Sequence, residues 1–330
     1  MRRLVLLLVF WFLLGAAAWG ETCQGGVLYH QVAGGPELYH VAKRDSLIRL
    51  AQVRAIKWTA LARRNHLKPP YRLKKGMTLK IDTTHIVPDE LTNGLIVNLP
   101  ELVLYYFKDG VYQRRYTLAV GKPTWPTPTG RYKIIDKRKN PTWNVPESIQ
   151  DEMWEEGLEV LEQVPPGPKN PLGKYFMLTS AEGVGIHATN RPSSVGYYAS
   201  HGCIRMLPTE IAKLFPQIPL GTPVKIIYRP VKMALTPQGR IFLESHPNVY
   251  RRKMDYMTLV MDLAEKNQLV GRIDWKLVPK ILKAKEGIAQ DITRELPVPK
   301  PATATAPATT PSRRQESSLF PLHRKEAKLE

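Results

Sequence analysis

Between Leu95 and Tyr228 the chain is a succession of short runs of branched and aromatic residues, with one convincing helical stretch among them. Leu95-Ile96-Val97-Asn98-Leu99 and Leu102-Val103-Leu104-Tyr105-Tyr106-Phe107 have the composition of strands, because such side chains pack well on a pleated surface. Asp109-Gly110 is a tight-turn signal, and Tyr112 to Val120 returns as the partner strand of a hairpin. Tyr132–Ile135, Tyr175–Leu178, Val184–Ala188 and Val224–Tyr228 continue the pattern. The helix begins near Pro208 and carries Ile211, Ala212, Leu214 and Phe215 on one side. Residues 141–173 hold many Pro and Gly around an acidic segment, Glu147 to Glu162, and read as a long loop or lid with one short helix. The expectation for 92–230 is a mostly β domain.

Smaller units flank it. Residues 38–82 read as strand, helix, helix, strand. Leu38–Val41 opens the unit, Asp45 or Ser46 caps the first helix, Ile56–Ala62 forms the second, and Leu73–Ile81 turns at Gly76 into the closing strand. Residues 21–37 read as a Gly-containing lead-in. Residues 231–295 read as a C-terminal subdomain with helices: an edge strand at Ile241–Glu244, a helix bearing Tyr256, Leu259, Val260, Leu263 and Ala264, and a second starting near Asp274 that Pro279 confines. Met254, Met257 and Met261 read as core filler. Residues 296–330, rich in Pro, Ala and Thr and then charged, read as a disordered tail.

Residues 1–20 have the form of a secretory signal. Arg2 and Arg3 precede an apolar run from Leu4 to Leu14, and Ala16–Gly20 offers small residues for cleavage. The apolar core is short for a membrane span, so no stable span is expected after cleavage, and the destination is the periplasm or cell envelope. An uncleaved anchor is the alternative. The net charge of +19 is spread along the chain rather than gathered in a block. With no nucleic-acid-binding motif present, it suits an acidic wall matrix, and no nucleic-acid partner is expected. Two cysteines, Cys23 and Cys203, do not make a disulfide framework. A bridge between them would silence Cys203 as a nucleophile, and a lipid anchor on Cys23 has a poor lead-in in Glu21-Thr22.

The sharpest string is Ser200-His201-Gly202-Cys203-Ile204-Arg205. A free thiol titrates near 8.5, so a nucleophilic cysteine needs groups that favour its anion, and His201 and Arg205 are close by. Gly202 permits a tight or positive-φ backbone beside the sulfur, which can aim amides at an oxyanion. A second histidine, His187, ends the run Val184-Gly185-Ile186-His187, and the string and this strand end together suggest a Cys/His pair for acyl transfer. The histidines and cysteines have no ligand spacing, so no metal site is expected. A buried structural cysteine beside a capped histidine is the competing reading of the residues alone.

Residues 92–229 resemble the catalytic domain of the L,D-transpeptidases, the YkuD-type fold. The resemblance rests on Ser200–Cys203 with Arg205, Gly185-Ile186-His187, Val120-Gly121 followed by Thr127-Pro128-Thr129-Gly130, Asn170-Pro171-Leu172-Gly173, and Gly221-Thr222-Pro223-Val224. Ala188-Thr189 stands where many members have Gly-Thr. Residues 38–82 resemble a LysM wall-binding module through Tyr39-His40-Val41, Asp45-Ser46-Leu47, Asn65-His66-Leu67 and Leu73–Ile81, with Arg44 where the family usually has Gly.

The resemblance implies a β-sandwich catalytic domain whose cysteine forms a thioester with a peptidoglycan tetrapeptide stem and releases D-Ala. The acyl group then passes to an amine of another stem (a 3–3 cross-link) or of an envelope protein; water as acceptor would make the chain an L,D-carboxypeptidase. Cys203 attacks and His187 moves the proton. His201, Arg205, Ser200 and Gly202 shape the site, with Tyr175, Tyr197 and Tyr198 as wall or core aromatics. Carbapenems are the implied covalent inhibitors. A catalytically silent wall-binding protein and a cysteine peptidase are the other classes the sequence leaves open. The module at 38–82 is expected to add binding to a catalytic domain that looks complete without it.

Overall fold

The computed structural model describes residues 26–295. The signal-peptide reading of 1–20, the Cys23 alternatives and the tail at 296–330 lie outside the described residues. The chain divides into two units, Met1–Glu295 and Leu296–Glu330, and every residue described below belongs to the first.

The hairpin predicted around Asp109-Gly110 is the seam of a closed sheet. Val103–Lys108 pairs with Val111–Gly121 in antiparallel register. From there the ladder runs through Gly94–Asn98, Pro223–Ile227, Gly130–Lys139, Tyr175–Thr179, Gly185–His187 and Ile204–Met206, and back onto the far half of Val111–Gly121. Eight strands thereby close, and Tyr198–Ser200 adds in parallel to the outer end of the long strand. Closure leaves few unpaired edges. Leu95, Val97, Leu104, Tyr106, Leu118, Val120, Ile186 and Ile204 fill the interior.

Alternate residues of the same strands are buried too. Ile96, Val103, Tyr105, Phe107 and Ile227 pack outward with Ala55 and Val87. That two-sided burial is why Leu95–Val97 and Val103–Phe107 read as unbroken apolar runs instead of alternating ones. Each large side chain withdrawn there contributes about 1.5–3 kcal/mol relative to exposure.

The N-terminal module is βααβ. Pro36–His40 pairs with Thr78–Asp82, and Leu47–Arg54 and Trp58–Arg64 lie between them. Ser46 caps the first helix, its side chain accepting from the Arg49 amide at 3.2 Å. Asp45 instead braces the preceding turn, accepting from Tyr39 Oη and the Ala42 amide, both at 2.7 Å. Between the two turns Arg44 sits at φ 74°, the left-handed region in which glycine is unstrained. The family's usual glycine has a direct physical reason at this position.

Three sequence expectations change. Residues 28–33 are strands, not merely a lead-in: Leu28–Tyr29 pairs in parallel with Val231–Leu235, and Gln31–Ala33 pairs with His85–Val87. The Ile241–Ser245 strand is not at an edge, because Gln290–Asp291 pairs on its other side. The C-terminal subdomain is therefore a four-stranded sheet carrying helices Tyr256–Lys266 and Val278–Ala284. Pro279 falls in the first turn of the second helix, where its missing N–H costs nothing. Met254 and Met257 pack against cores, whereas Met261 is 45% exposed and fills none.

The N-terminal module is docked, not tethered. Thr117 Oγ1 donates to the Gln52 carbonyl at 2.6 Å, Gln52 Nε2 donates to the Val195 carbonyl at 2.8 Å, and Lys57 Nζ donates to the Lys285 carbonyl at 2.7 Å. The catalytic domain, expected to look complete without this module, takes from the module's first helix a donor for its buried Val195 carbonyl.

Candidate functional site

The strand Gly185–His187 lies between Tyr175–Thr179 and Ile204–Met206. Its parallel register with the latter sets Ile186 against Ile204 and His187 against Arg205. One step back along both strands, Gly185 stands beside Cys203. Side chains alternate along a strand, so Cys203, Arg205 and His187 share one face, with the bare backbone of Gly185 among them. A Cβ at Gly185 would lie 2.4 Å from the Phe176 ring, which fills that space and requires a glycine there. The Cys203 thiol donates to the Gly183 carbonyl at 3.4 Å, and the Gly185 amide bonds the sulfur in the sense that favours its anion.

Burial governs the protonation states. Desolvation raises the Cys203 pKa; the Gly185 amide and the Arg205 guanidinium oppose it but do not cancel it. His187, 3% exposed, is lowered to about 4 by desolvation first and by Arg205 second. At neutral pH the pair is thus thiol and neutral imidazole. Arg205 supports the anion as expected, but the net environment does not. His187 Nδ1 lies 2.6 Å from the Ala188 carbonyl, and because a carbonyl only accepts, Nδ1 carries the proton and Nε2 keeps its lone pair. A backbone carbonyl is therefore the group that orients His187.

The turn before Cys203 is held from three directions. Gly202 takes φ 104°, a conformation open to glycine. The Ser200 hydroxyl donates to the Cys203 carbonyl, closing the turn. Thr127, 1% exposed, accepts from the Gly121 amide at 2.9 Å and donates to the Gly202 carbonyl at 2.8 Å. His201 turns to the lid: its Nε2 is 2.6 Å from Glu152 Oε2, and its ring meets Trp125 edge-on at 5.5 Å. Glu152 also accepts from Lys122 Nζ at 3.1 Å and belongs to helix Glu147–Glu155, none of whose residues is buried.

Sequence reasoning missed Glu152, and saw Thr127 and Asn170 only as parts of motifs. Asn170, fully buried, donates to the Pro141 and Val164 carbonyls at 2.9 and 3.0 Å and accepts from the Leu172 amide, knotting the base of the lid. A fully buried amide with several backbone partners is a loop organiser; the signal in sequence was an Asn inside a Pro/Gly-rich stretch. Tyr175 packs on Phe215, Tyr198 donates to the Pro100 carbonyl, and Tyr197, 40% exposed, accepts from Trp58 Nε1.

Glu101, Glu244 and His246 place ligand-type atoms within 4.8 Å of one another, away from this site. Lys232 Nζ pairs with both carboxylates, so an ammonium stands where a cation would.

Two families match the chain: the L,D-transpeptidase catalytic domain over residues 92–226 and the LysM domain over 39–82. The probable L,D-transpeptidase YcfS of Escherichia coli is 29% identical over 271 residues, 79% of this chain and 85% of that protein. YqjB of Bacillus subtilis, named for the same activity, is 35% identical over 147 residues, 43% of this chain and 70% of that protein. Two ErfK/SrfK proteins are matched over 60% and 59% of their own lengths. Among solved structures, the catalytic domain of an Enterococcus faecium L,D-transpeptidase acylated by ertapenem is 27% identical, covering 42% of this chain and 99% of that one with a TM-score of 0.33.

Proposed function

Because the chain belongs to the YkuD-type L,D-transpeptidase family and carries an N-terminal LysM domain, we propose that it is an acyltransferase of the cell envelope acting on peptidoglycan peptide stems through Cys203. The observation that carries this reading is the shared face of Cys203 and His187, with the imidazole neutral and its Nδ1 proton fixed on the Ala188 carbonyl.

The Cys203 sulfur attacks the carbonyl carbon of the bond between the diamino acid's L centre and the terminal D-Ala. Its proton passes to His187 Nε2 and then to the departing D-Ala amine, leaving a thioester. An acceptor amine attacks that thioester, loses a proton to His187 and frees the thiol. Starting from a neutral pair avoids holding a buried ion pair in the resting enzyme. Arg205 and the Gly185 amide favour the sulfur anion as it forms. Amides of the turn at Gly202 are the proposed oxyanion donors. No cofactor is required, since the donor bond energy is carried in the thioester. The acceptor is an amine of a second stem or of an envelope protein, and carbapenems acylate the same sulfur. The LysM domain supplies affinity for the glycan. Among the described residues no helix is long and apolar enough to cross a membrane.

Incubation with disaccharide-tetrapeptide followed by mass spectrometry tests the reading. An acyl-enzyme on Cys203 with cross-linked dimer supports it. A tripeptide product alone would make water the acceptor, and no adduct and no product would overturn the proposal.

A further inference from the structure

The segment from Ala188 to Tyr197 joins the strand of His187 to the strand that leads into Cys203, so its path sets how the two reacting groups face each other. At its start, the Ala188 carbonyl orients His187. At its end, the Tyr197 carbonyl accepts from the Val120 amide, and Ser200 closes the Cys203 turn. Its middle is pinned from outside the catalytic domain. Gln52, 7% exposed on the first LysM helix, donates from Nε2 to the Pro192 carbonyl at 3.0 Å and to the Val195 carbonyl at 2.8 Å. The next residue, Gly196, donates to the Leu118 carbonyl at 2.8 Å. Gln52 is itself fixed, because its own carbonyl accepts from Thr117 Oγ1 at 2.6 Å.

A primary amide has two N–H groups, and here one buried amide serves two loop carbonyls. Removing it strands the buried Val195 carbonyl, which costs more than the bond contributes when made, while the Pro192 carbonyl keeps the Val195 amide as a donor. The loop would then find its partners by shifting, and the loop's two ends hold the imidazole and the thiol.

We propose that Gln52 is a positioning residue for the Cys203–His187 pair, and that the docked LysM domain thereby sets the rate of the chemical step as well as binding the wall. This rests on the reading of Cys203 and His187 as the reacting pair. Displacement of reacting groups by about 1 Å can cost about 10²-fold in rate.

The test uses the full chain with Gln52→Met, which keeps length and helix propensity without donors, and Gln52→Glu, which keeps shape but places acceptors on acceptors. Thr117→Val is the second route, loosening Gln52 from the catalytic side. Glu286→Ala is the control, breaking the Arg63–Glu286 contact that the LysM domain makes with the C-terminal subdomain rather than with the loop. Two quantities are read: kcat and KM on soluble tetrapeptide, and the pH profile of iodoacetamide alkylation at the Cys203 peptide. The expected result is a fall of about tenfold in kcat at unchanged KM in both Gln52 variants, a smaller fall in Thr117→Val, a displaced alkylation profile, and neither change in Glu286→Ala. Unchanged kcat and alkylation in folded Gln52→Met, or equal losses in the control, overturn the proposal. If the wild-type chain turns over no tetrapeptide, the transpeptidase reading fails, and the alkylation profile alone decides the role of Gln52.

Discussion

Cys203 and His187 are both neutral at pH 7 because desolvation disfavours each charged form, more completely at the buried imidazole than at the half-buried thiol. Replacement of Cys203 by Ala should abolish turnover, and more than a few per cent residual activity in single-turnover assays would contradict its role. His187→Ala should cost about 10²–10⁴-fold, the range of general acid–base help, with circular dichroism confirming the fold. The lowered His187 pKa also has a consequence for stability. The unfolded imidazole titrates near 6.5 and the folded one at about 4, so below 6.5 the unfolded state binds more protons. Stability is therefore intact above pH 6.5, falls as pH drops toward 4, and has lost about 3 kcal/mol from this group below that. Urea titrations of wild type and His187→Gln across that range should show the acid slope shrinking in the variant; equal slopes would count against a buried neutral imidazole.

At the scale of elements, two features show where local sequence sufficed and where it did not. Arg44 was legible as a departure from Gly, and its φ of 74° says why: a side chain is carried in the left-handed region. Arg44→Gly should raise stability by about 1 kcal/mol, read as a higher thermal midpoint; a lower midpoint would mean that the Arg side chain contributes more than its backbone strain costs. The lid was legible as a Pro/Gly-rich acidic stretch, but its latch was not. Glu152 meets His201 and Lys122 across gaps of 49 and 30 positions, and nothing local marks one glutamate among several. Since helix Glu147–Glu155 buries no residue, its seat depends on polar contacts. Glu152→Gln should speed proteolytic nicking within 147–162 with little change in thermal midpoint. His201→Ala should do the same and cost less activity than His187→Ala. Slower nicking in either variant would mean that the pair does not hold the lid. The strand Leu28–Tyr29 escaped sequence reading for a related reason, because two residues carry no period and their partner lies at Met233–Ala234.

Across the whole molecule, the site was more legible than the assembly around it. Cys203 and its turn lie within one string and His187 within one strand, and the parallel pairing of that strand with Ile204–Met206 brings them to one face. The docking of three modules depends on pairs such as Gln52 with Val195 and Lys57 with Lys285, which no window of sequence contains. Their common centre is Lys232, fully buried between Glu101, in the turn joining two strands of the closed sheet, and Glu244 of the C-terminal sheet, and its Nζ donates to Tyr105 Oη at 3.1 Å. Glu244 also accepts from the Ile86 amide, and its Oε1 is 2.7 Å from His246 Nε2. Lys57 approaches the same carboxylates from the LysM side, its pKa lowered to about 8 by burial. Replacing a buried ionic group by apolar volume is often neutral, but removing one partner strands the others. Lys232→Met should therefore cost about 3–5 kcal/mol, because two carboxylates at 1% exposure lose their cation. The combined variant with Glu101→Gln and Glu244→Gln should recover much of that loss, since amides in place of carboxylates leave no stranded charge. If the cluster joins the modules, urea unfolding followed by tryptophan fluorescence and by far-ultraviolet circular dichroism should give one coincident transition in the wild type and split in Lys232→Met. Coincident transitions in the variant, or a wild-type cost below about 1 kcal/mol for the substitution, would show that the modules are held together by the apolar contacts alone.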